Sequence, residues 1–312
     1  MKKYLILTTV LLLILGTAAC SNLGGDEDGE LVMSLADKPV NGVEQVLVTI
    51  DEVQVKREDT EWTTLNDFSD EGGEKEFDLM DLRFDEELLG QEMLPTGNYE
   101  QIRLIVAADE AEDKEDGKPL TDKYSEKSKV VYEDGTTDEI FIPSGTQTGL
   151  KISHNFRIEE NTITRLLLDA DVSKIMHQTG ENELILRPTA IDVVDEVVSG
   201  DIKGQVMVET EEGTETIADT VEDDVVVEVY ENNEADADDS EPVKSTVALD
   251  KDEDEEAGTF LLRGLPEGTY SLKAYPADEE GAPTDEYETD IAEDIEVEAE
   301  EVNELENPLT LK

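Results

Sequence analysis

Few side chains in this sequence could perform covalent or acid–base chemistry. Nucleophilic catalysis pairs a nucleophile with a base that is usually histidine, and the 312-residue chain contains only His154 and His177. Neither lies in a known catalytic motif, and the chain has no glycine-rich phosphate loop. Two carboxylates could serve a glycosidase, but 82 acidic residues supply such pairs by chance. We therefore predict a protein that is not an enzyme, and keep a glycosidase as the least favoured alternative.

Calcium is the metal that the acidic side chains favour, because hard cations prefer carboxylate oxygens. The best local spacing is that of Asp250, Asp252 and Asp254. The segment departs from the helix–loop–helix calcium motif, since Glu255 stands where glycine is needed and Leu261 occupies the twelfth place. We predict no cofactor, and two alternatives stay open for this segment: a weak calcium site and a solvated loop.

The most distinctive loop runs from Pro143 to Lys151 and reads Pro-Ser-Gly-Thr-Gln-Thr-Gly-Leu-Lys. It fits a glycine-rich connection between two strands, and it equally fits a loop that recognises a ligand. The candidate recognition residues are Ser144, Gln147 and Thr148. Alanine at Gln147 and Thr148 would separate the two interpretations.

The chain is extremely acidic, with 24 basic and 82 acidic residues and a formal net charge of -58. Such a surface repels phosphate backbones and anionic headgroups, which argues against nucleic-acid binding and polybasic membrane docking. Acids interrupt nearly every segment, including the polar positions of predicted strands. Molar salt shortens the screening length to about 3 Å and removes most of the resulting self-repulsion. We therefore expect a folded protein from a high-salt environment.

The N-terminus has the form of a secretion signal, with a basic start and an apolar stretch from Tyr4 to Leu15 that is too short to span a bilayer. Small residues then precede Cys20, the only cysteine. Cys20 resembles the lipidated cysteine of the bacterial lipobox, although Thr17 stands where leucine is usual. The resemblance implies that residues 1–19 are cleaved, that Cys20 carries the lipid anchor and that residues 20–30 form an acidic tether. An ordinary signal with an incidental cysteine is the alternative.

Residues 31–195 show the apolar alternation of β-strands. Strands are predicted at 31–35, 46–50, 53–55, 102–106, 130–132, 140–142, 150–152, 155–158, 163–170 and 184–194. Asp51 and Glu52 fall where the alternation changes phase, which predicts a β-bulge. Only residues 85–90 and 173–177 invite a helical turn, and residues 109–128, which lack an apolar period, are predicted to form a loop.

A second pattern begins near residue 200 and contains about seven short strands, a number typical of a β-sandwich. Both halves contain Leu-Pro-x-Gly-x-Tyr, at Leu94–Tyr99 and Leu265–Tyr270. Proline and glycine suit a tight turn, and we expect each tyrosine to anchor in the core. The predicted fold class is all-β, with two β-sandwich-type domains in tandem, residues 31–195 and 200–312, behind a lipoprotein signal peptide.

Two family resemblances accompany these patterns. In the second half, Gly258-Thr259-Phe260 and Gly264–Tyr270 resemble the carboxypeptidase-regulatory, transthyretin-like sandwich modules and the related Cna-B repeats. This resemblance implies a carbohydrate-binding-like fold that is seldom catalytic. In the first half, Phe77–Arg83, Leu94–Leu104 and Ile142–Lys151 resemble a bacterial lipoprotein family known as domain of unknown function 4382. That resemblance implies a secreted all-β lipoprotein and supplies no activity.

The functional hypothesis that follows is a non-enzymatic protein of the cell envelope, anchored through Cys20 and facing away from the cytoplasm, on the outer membrane if the host has one. It binds an extracellular ligand, with polysaccharide as a candidate. The alternative is an envelope scaffold or assembly factor that binds another protein. Exposed aromatic residues would favour a sugar, whereas an unpaired sheet edge would favour a protein partner. Trp62, the only tryptophan, is expected in the core, which weakens the sugar hypothesis.

Overall fold

The protein is all-β, which confirms the predicted fold class. The computed structural model describes residues 28–38, 40–68, 73–107, 127–142, 148–176, 184–210, 213–218, 220–221, 223–232, 234–235, 240–250, 257–278, 282–284, 287 and 290–312. Within these ranges, no helix has both the length and the apolarity needed to cross a bilayer.

Among the residues that the structure describes, the first sandwich has twelve strands and the short helix α1 (Val172–Met176). The strands are β1 (Asp28–Asp37), β2 (Val43–Arg57), β3 (Trp62–Asp67), β4 (Lys75–Asp78), β5 (Glu87–Pro95), β6 (Gly97–Val106), β7 (Lys129–Tyr132), β8 (Thr137–Phe141), β9 (Leu150–Ile158), β10 (Ile163–Ala170), β11 (Leu184–Ile185) and β12 (Ile191–Asp195).

These strands form two sheets that pack on one core. The smaller sheet has the order β12-β10-β1-β5, and the larger has the order β11-β8-β7-β2-β6-β9, with β3 and β4 also paired to β2. Alternate side chains of each sheet enter the same cluster, for example Met33 from β1 and Ile102 from β6. The opposite face of each sheet is therefore free to carry polar residues.

Most of the predicted strands of this half exist, and the remaining predictions are partly confirmed and partly wrong. The register of β2 against β6 shifts between Ile50 and Glu52, so the predicted bulge is confirmed. The helical turn expected at residues 85–90 is wrong, because β5 begins at Glu87 and pairs with β1. The turn expected at residues 173–177 is the helix α1. The pattern missed β3 and β4, and the predicted strand at 184–194 is interrupted by a 3₁₀ turn at Pro188–Ala190. Most of the predicted loop at 109–128 lies outside the described residues.

In the described part of the second half, the sandwich has nine strands, whereas the sequence predicted about seven. They are β13 (Ser199–Thr210), β14 (Gly213–Thr216), β15 (Asp224–Glu231), β16 (Lys244–Ala248), β17 (Thr259–Pro266), β18 (Gly268–Ala277), β19 (Asp290–Val297), β20 (Val302–Glu304) and β21 (Leu309–Leu311). One sheet is built around β13, which pairs with β14, β17, β20 and β21, and the other has the order β16-β15-β18-β19. Both sheets contribute to a separate core that includes Phe260 and Leu272.

The two Leu-Pro-x-Gly-x-Tyr segments are corners at which the chain passes from one sheet to the other. Tyr99 and Tyr270 are each 2% exposed, and their hydroxyls donate to the carbonyls of Pro95 at 2.9 Å and of Pro266 at 2.7 Å. The predicted anchoring of both tyrosines is thus confirmed. The positive φ expected of the glycine occurs at Gly97, at 147°, but not at Gly268.

A buried polar joint connects the two sandwiches. Arg263 of β17 donates through Nη1 to the carbonyl of Asp37 at 2.9 Å and through Nη2 to the carbonyl of Asp85 at 3.1 Å. Its Nη1 lies 3.8 Å from Oδ1 of Asp169, while Nζ of Lys244 lies 3.5 Å from Oδ2 of the same carboxylate. The acids belong to the first sandwich and both cations to the second. Ion pairs and hydrogen bonds therefore cross the joint.

Candidate ligand-binding face

A row of polar side chains covers the outer face of β3, β2, β6 and β9, and we call it the outer strip. In antiparallel strands, directly paired residues point to the same side of the sheet. The pairs Lys56–Trp62, Gln54–Arg103 and Arg103–Lys151 therefore share one face, and the residues on either side of Gln54 and Arg103 are buried. The outer strip consists of Glu52, Gln54, Lys56, Glu58, Trp62, Thr64, Asn98, Glu100, Gln101, Arg103, Lys151, Ser153, Asn155 and Arg157.

We call the part of the outer strip that contains Glu52, Gln54, Thr64 and Arg103 its upper part, and Trp62 is its aromatic centre. The Cζ atom of Arg103 lies 4.1 Å from the centroid of its ring, which is a cation–π contact. Arg103 also donates through Nη2 to Oε1 of Gln54, and Gln54 donates through Nε2 to Oε1 of Glu52 at 2.5 Å. Thr64 donates to the same carboxylate oxygen at 2.5 Å. These bonds hold the polar side chains around the ring in fixed positions before any ligand arrives.

The distinctive loop of the sequence ends against this aromatic centre. Thr148 is exposed, and Gly149 has a φ of +74°. A Cβ atom at Gly149 would lie 2.5 Å from Cγ of Arg103 and 2.8 Å from Cδ1 of Ile105. Only glycine therefore allows the loop to approach the arginine that contacts Trp62. The candidate recognition residue Thr148 is next to that contact in the chain.

The lower part of the outer strip is a hollow of about 520 Å³. Its walls carry Glu58, Asn98, Glu100, Asn155, Arg157 and Asp195. The buried rings of Tyr99 and Phe156, which are 2% and 8% exposed, lie beneath it, with centroids 5.1 Å apart and planes inclined by 19°. The register of β6 against β9 shifts between Tyr99 and Gln101, beside the hollow. Amides, carboxylates and a guanidinium thus converge in one hollow, as in sites for polar organic ligands.

Lys56 links the two parts of the outer strip. It is paired with Trp62 in the β2–β3 register, and its Nζ lies 2.7 Å from Oε1 of Glu100 in the hollow. Four neighbouring strands span about 14 Å from β3 to β9 at the usual spacing of about 4.8 Å. The arrangement suits an extended ligand with several repeated units better than a small molecule in a closed cavity.

Several residues predicted from the sequence cannot be compared with this face. Cys20, Ser144, Gln147, Asp252 and Asp254 lie outside the described residues, as do the signal peptide and His177. Asp250 is described and exposed, and its backbone N–H donates to Oδ1 of Asn41 at 3.2 Å. No group of three metal-ligating side chains occurs in the part of the chain that the structure describes.

His154 lies in β9, beside the hollow. It is half-buried, its ring centroid is 6.4 Å from that of Phe156, and burial lowers the pKa of its imidazole. The charge of Asp195 acts in the opposite direction and is the smaller effect. The imidazole therefore favours its neutral form at neutral pH, in which it can accept a hydrogen bond.

The sequence analysis was wrong about Trp62 and missed its neighbours. Trp62 is half-buried on the outer face and lies outside the core cluster. The polar residues Gln54 and Arg103 each stand between buried apolar residues of their strands, which is the pattern of an outward side chain. That pattern is visible in the sequence, but only the strand register shows that Arg103 and Trp62 meet.

Comparison with known proteins shows a family match in the first sandwich. A family model described as a domain of unknown function, DUF4382, matches residues 28–188, which include all four strands of the outer strip. The predicted resemblance of this half is thus confirmed. No curated protein matches the chain.

Solved structures show distant likenesses. One is the Bacillus anthracis TIE protein, at 15% identity and a TM-score of 0.21, covering 91% of this chain and 34% of that one. This chain therefore spans about a third of that protein. Another is GBS52, the minor pilin of Streptococcus agalactiae, at 10% identity, a TM-score of 0.23 and coverage of 91% and 96%. A third is titled putative polysaccharide binding proteins (DUF1812) from Bacteroides thetaiotaomicron. It is 11% identical, with a TM-score of 0.18, and the match covers 79% of this chain and 76% of that one. The function of this chain rests on its own residues.

Proposed function

The chain belongs to the DUF4382 family, whose domain covers residues 28–188, and from the surface of that domain we propose that it is a non-enzymatic envelope protein that binds an extended extracellular polysaccharide. The observation that carries the proposal is the contact of Trp62 with Arg103 on an open sheet face. A half-buried ring beside fixed amide, carboxylate and guanidinium groups combines stacking with hydrogen bonding, which is the chemistry that recognises a sugar chain.

Preorganisation supports this proposal. The side chains of Glu52, Gln54, Thr64 and Arg103 already hydrogen-bond to one another in the free protein. A ligand that binds them loses little side-chain entropy at these positions. The hollow then continues the face by way of Lys56, so that neighbouring sugar units of one chain would occupy both parts.

We also propose that the protein is tethered by Cys20 with the first sandwich nearer the membrane. Strand β1 begins at Asp28, eight residues after Cys20, a distance of at most about 28 Å for an extended chain. The strand ends at Asp37, whose carbonyl accepts from Arg263 in the second sandwich. The second sandwich would thus project outward from the cell, and the outer strip would lie between it and the anchor.

Affinity retention tests the proposed function. The chain without its predicted signal peptide and anchoring cysteine is passed in molar salt over a panel of immobilised neutral and acidic polysaccharides. We expect at least one polymer to retain the protein, and Trp62→Ala to lose about 1–3 kcal/mol of binding free energy, the usual worth of a stacking aromatic contact.

Met93→Ala is the matched control, because Met93 is 53% exposed on the other sheet of the same sandwich. It should bind as the wild type does. Equal retention of Trp62→Ala and the wild type would reject the outer strip as the site, and no retention by any polymer would reject polysaccharide binding.

A protein partner is the second candidate function, and one surface favours it. Strand β5 is an edge of its sheet and exposes Leu88, at 48%, and Met93. Met93 and Ile163 stand on either side of Glu30 in one row of that sheet. An open edge with apolar side chains is the surface to which another chain adds a strand. Loss of a captured envelope protein on Met93→Glu, with no polysaccharide retained, would favour this function.

A further inference from the structure

The outer strip differs in charge from the chain as a whole. The full sequence has 82 acidic and 24 basic residues, more than three acids for each base. The outer strip instead carries four basic side chains against three acidic ones, with two further acids at its border. The strip contains Lys56, Arg103, Lys151 and Arg157 against Glu52, Glu58 and Glu100, while Asp67 is paired with Glu52 and Asp195 lies on the wall of the hollow. On a protein with a formal charge of -58, this face is a local exception to the repulsion of anions.

Two of these cations are available to a ligand. Lys151 is exposed and is paired with Arg103 in the β6–β9 register, so both side chains leave the same face. Among the described residues, neither has a carboxylate within ion-pair distance. By contrast, Lys56 is engaged by Glu100 at 2.7 Å, and Nε of Arg157 lies 3.4 Å from Glu159.

The surroundings of Arg103 leave part of its hydrogen-bonding capacity unused. Its Nη2 donates to Gln54, but its Nε is buried and has no partner within the described ranges. A guanidinium presents donors in a planar fork that matches a carboxylate or a sulfate, and a charge-assisted bond of this kind is stronger than a neutral one.

We infer that the polysaccharide of the proposed function is acidic, with an oxyanion held between Arg103 and Lys151 while a neighbouring sugar stacks on Trp62. The inference rests on the outer strip being the binding site. Strands β6 and β9 are adjacent, about 4.8 Å apart, so one carboxylate or sulfate can contact both cations. The ring of Trp62 lies on the other side of Arg103, within the reach of the next unit of the polymer.

The net charge of the protein imposes a salt dependence on this binding. At low ionic strength, the charge of -58 repels a polyanion over a screening length of about 30 Å at 0.01 M salt. In molar salt that length falls to about 3 Å, so distant acids no longer act while groups in contact with the ligand still do. Retention of the acidic polymer should therefore appear in molar salt, in which we also expect the protein to be folded.

The test compares polygalacturonate, dextran sulfate and unmodified dextran as titrants in molar salt, with a chelator present throughout so that calcium cannot bridge two acidic polymers. We expect one of the polyanions to bind and dextran to bind at least about tenfold more weakly. Lys151→Gln should lower the affinity for the polyanion about tenfold, because one charge-assisted contact is lost. The preferred polyanion identifies the oxyanion as carboxylate or sulfate.

Lys129→Gln is the matched control, since Lys129 lies in β7 of the same sheet but outside the outer strip. It should bind the polyanion as the wild type does. Equal affinity for dextran and the polyanions, unchanged by Lys151→Gln, would overturn the inference while leaving polysaccharide binding intact. Binding of none of the three polymers, or of any other in the panel, would reject the proposed function itself.

Discussion

Replacing Arg263 by leucine should uncouple the two sandwiches. The residue is 6% exposed, and its guanidinium donates to the carbonyls of Asp37, Leu82 and Asp85 at 2.9, 3.4 and 3.1 Å. It also lies 3.8 Å from the carboxylate of Asp169. Leucine fills part of the volume but leaves these acceptors without their donor. The joint would then contain buried polar groups with no partner, which is an unfavourable state.

The expected loss follows from these contacts. Three hydrogen bonds from a charged donor, at about 1.5–3 kcal/mol each, give a gross loss of about 5–9 kcal/mol. Part of this loss in stability is offset, because folding of the variant no longer transfers a guanidinium from water into the joint. Removal of one partner from a buried ion pair costs about 3–5 kcal/mol in general, and we expect Arg263→Leu to lie in that range.

Urea unfolding in molar salt, followed by two probes, measures the effect. Trp62 is the only tryptophan, so its fluorescence reports on the first sandwich, whereas circular dichroism reports on both. The wild type should give coincident transitions because the joint couples the sandwiches, and Arg263→Leu should separate them. Arg187→Leu, at an exposed arginine, is the control. Coincident curves with a loss below about 1 kcal/mol would refute the role assigned to the joint.

Three further predictions concern the joint and the charge. Burial and the neighbouring Asp169 raise the pKa of Asp37 well above its ordinary value. The native state therefore binds a proton at this carboxyl more tightly than the unfolded chain does. The resulting stabilisation is complete below about pH 4 and is lost as the pH rises through the folded pKa. Asp37→Asn should therefore raise the melting temperature at neutral pH and leave it unchanged near about pH 4, as measured by thermal scans across pH; a rise of equal size at both pH values would contradict this. Gly264 has a φ of +70°, and a Cβ atom there would lie 2.6 Å from Cγ2 of Val194. Gly264→Ala should therefore lower the free energy of unfolding in urea titrations by more than Gly135→Ala, because Gly135 has a similar φ of +79° but no atom within 4 Å of an added Cβ, so only the backbone strain of about 1–3 kcal/mol applies there. The charge of -58 should make the β-sheet circular dichroism signal depend on molar salt, and a full signal in dilute buffer would show that the acidic surface does not require brine.

Much of the fold is predictable because alternation in the sequence reflects burial. The bulge at Asp51 is visible as a change of phase in one strand, and β2 does change its register there. Strand β5 is not predictable in this way, since its exposed Leu88 and Met93 obscure the alternation of an edge strand. The short acidic strand β14 is exposed along its whole length and therefore carries no apolar signal.

The candidate site is less predictable because it depends on pairing between distant strands. Trp62 and Arg103 are about forty residues apart, and their contact follows from the order in which β3, β2 and β6 are paired. The alternation of β6 indicates that Arg103 points outward, but the sequence pattern predicted the wrong side for Trp62 and does not give the register that brings the two together. The joint at Arg263 has the same origin, since its partners are carbonyls with no signature in the sequence.

Fluorescence of the single tryptophan tests polysaccharide binding at the outer strip most directly. Acrylamide quenching of Trp62 is measured in molar salt while an acidic polysaccharide is titrated, with Tyr contributions excluded by excitation at the red edge. We predict saturable protection of Trp62 from the quencher, and loss of that protection in Lys151→Gln at the same polymer concentration. Retention of the polymer with no change in the quenching of Trp62 would contradict binding at this face.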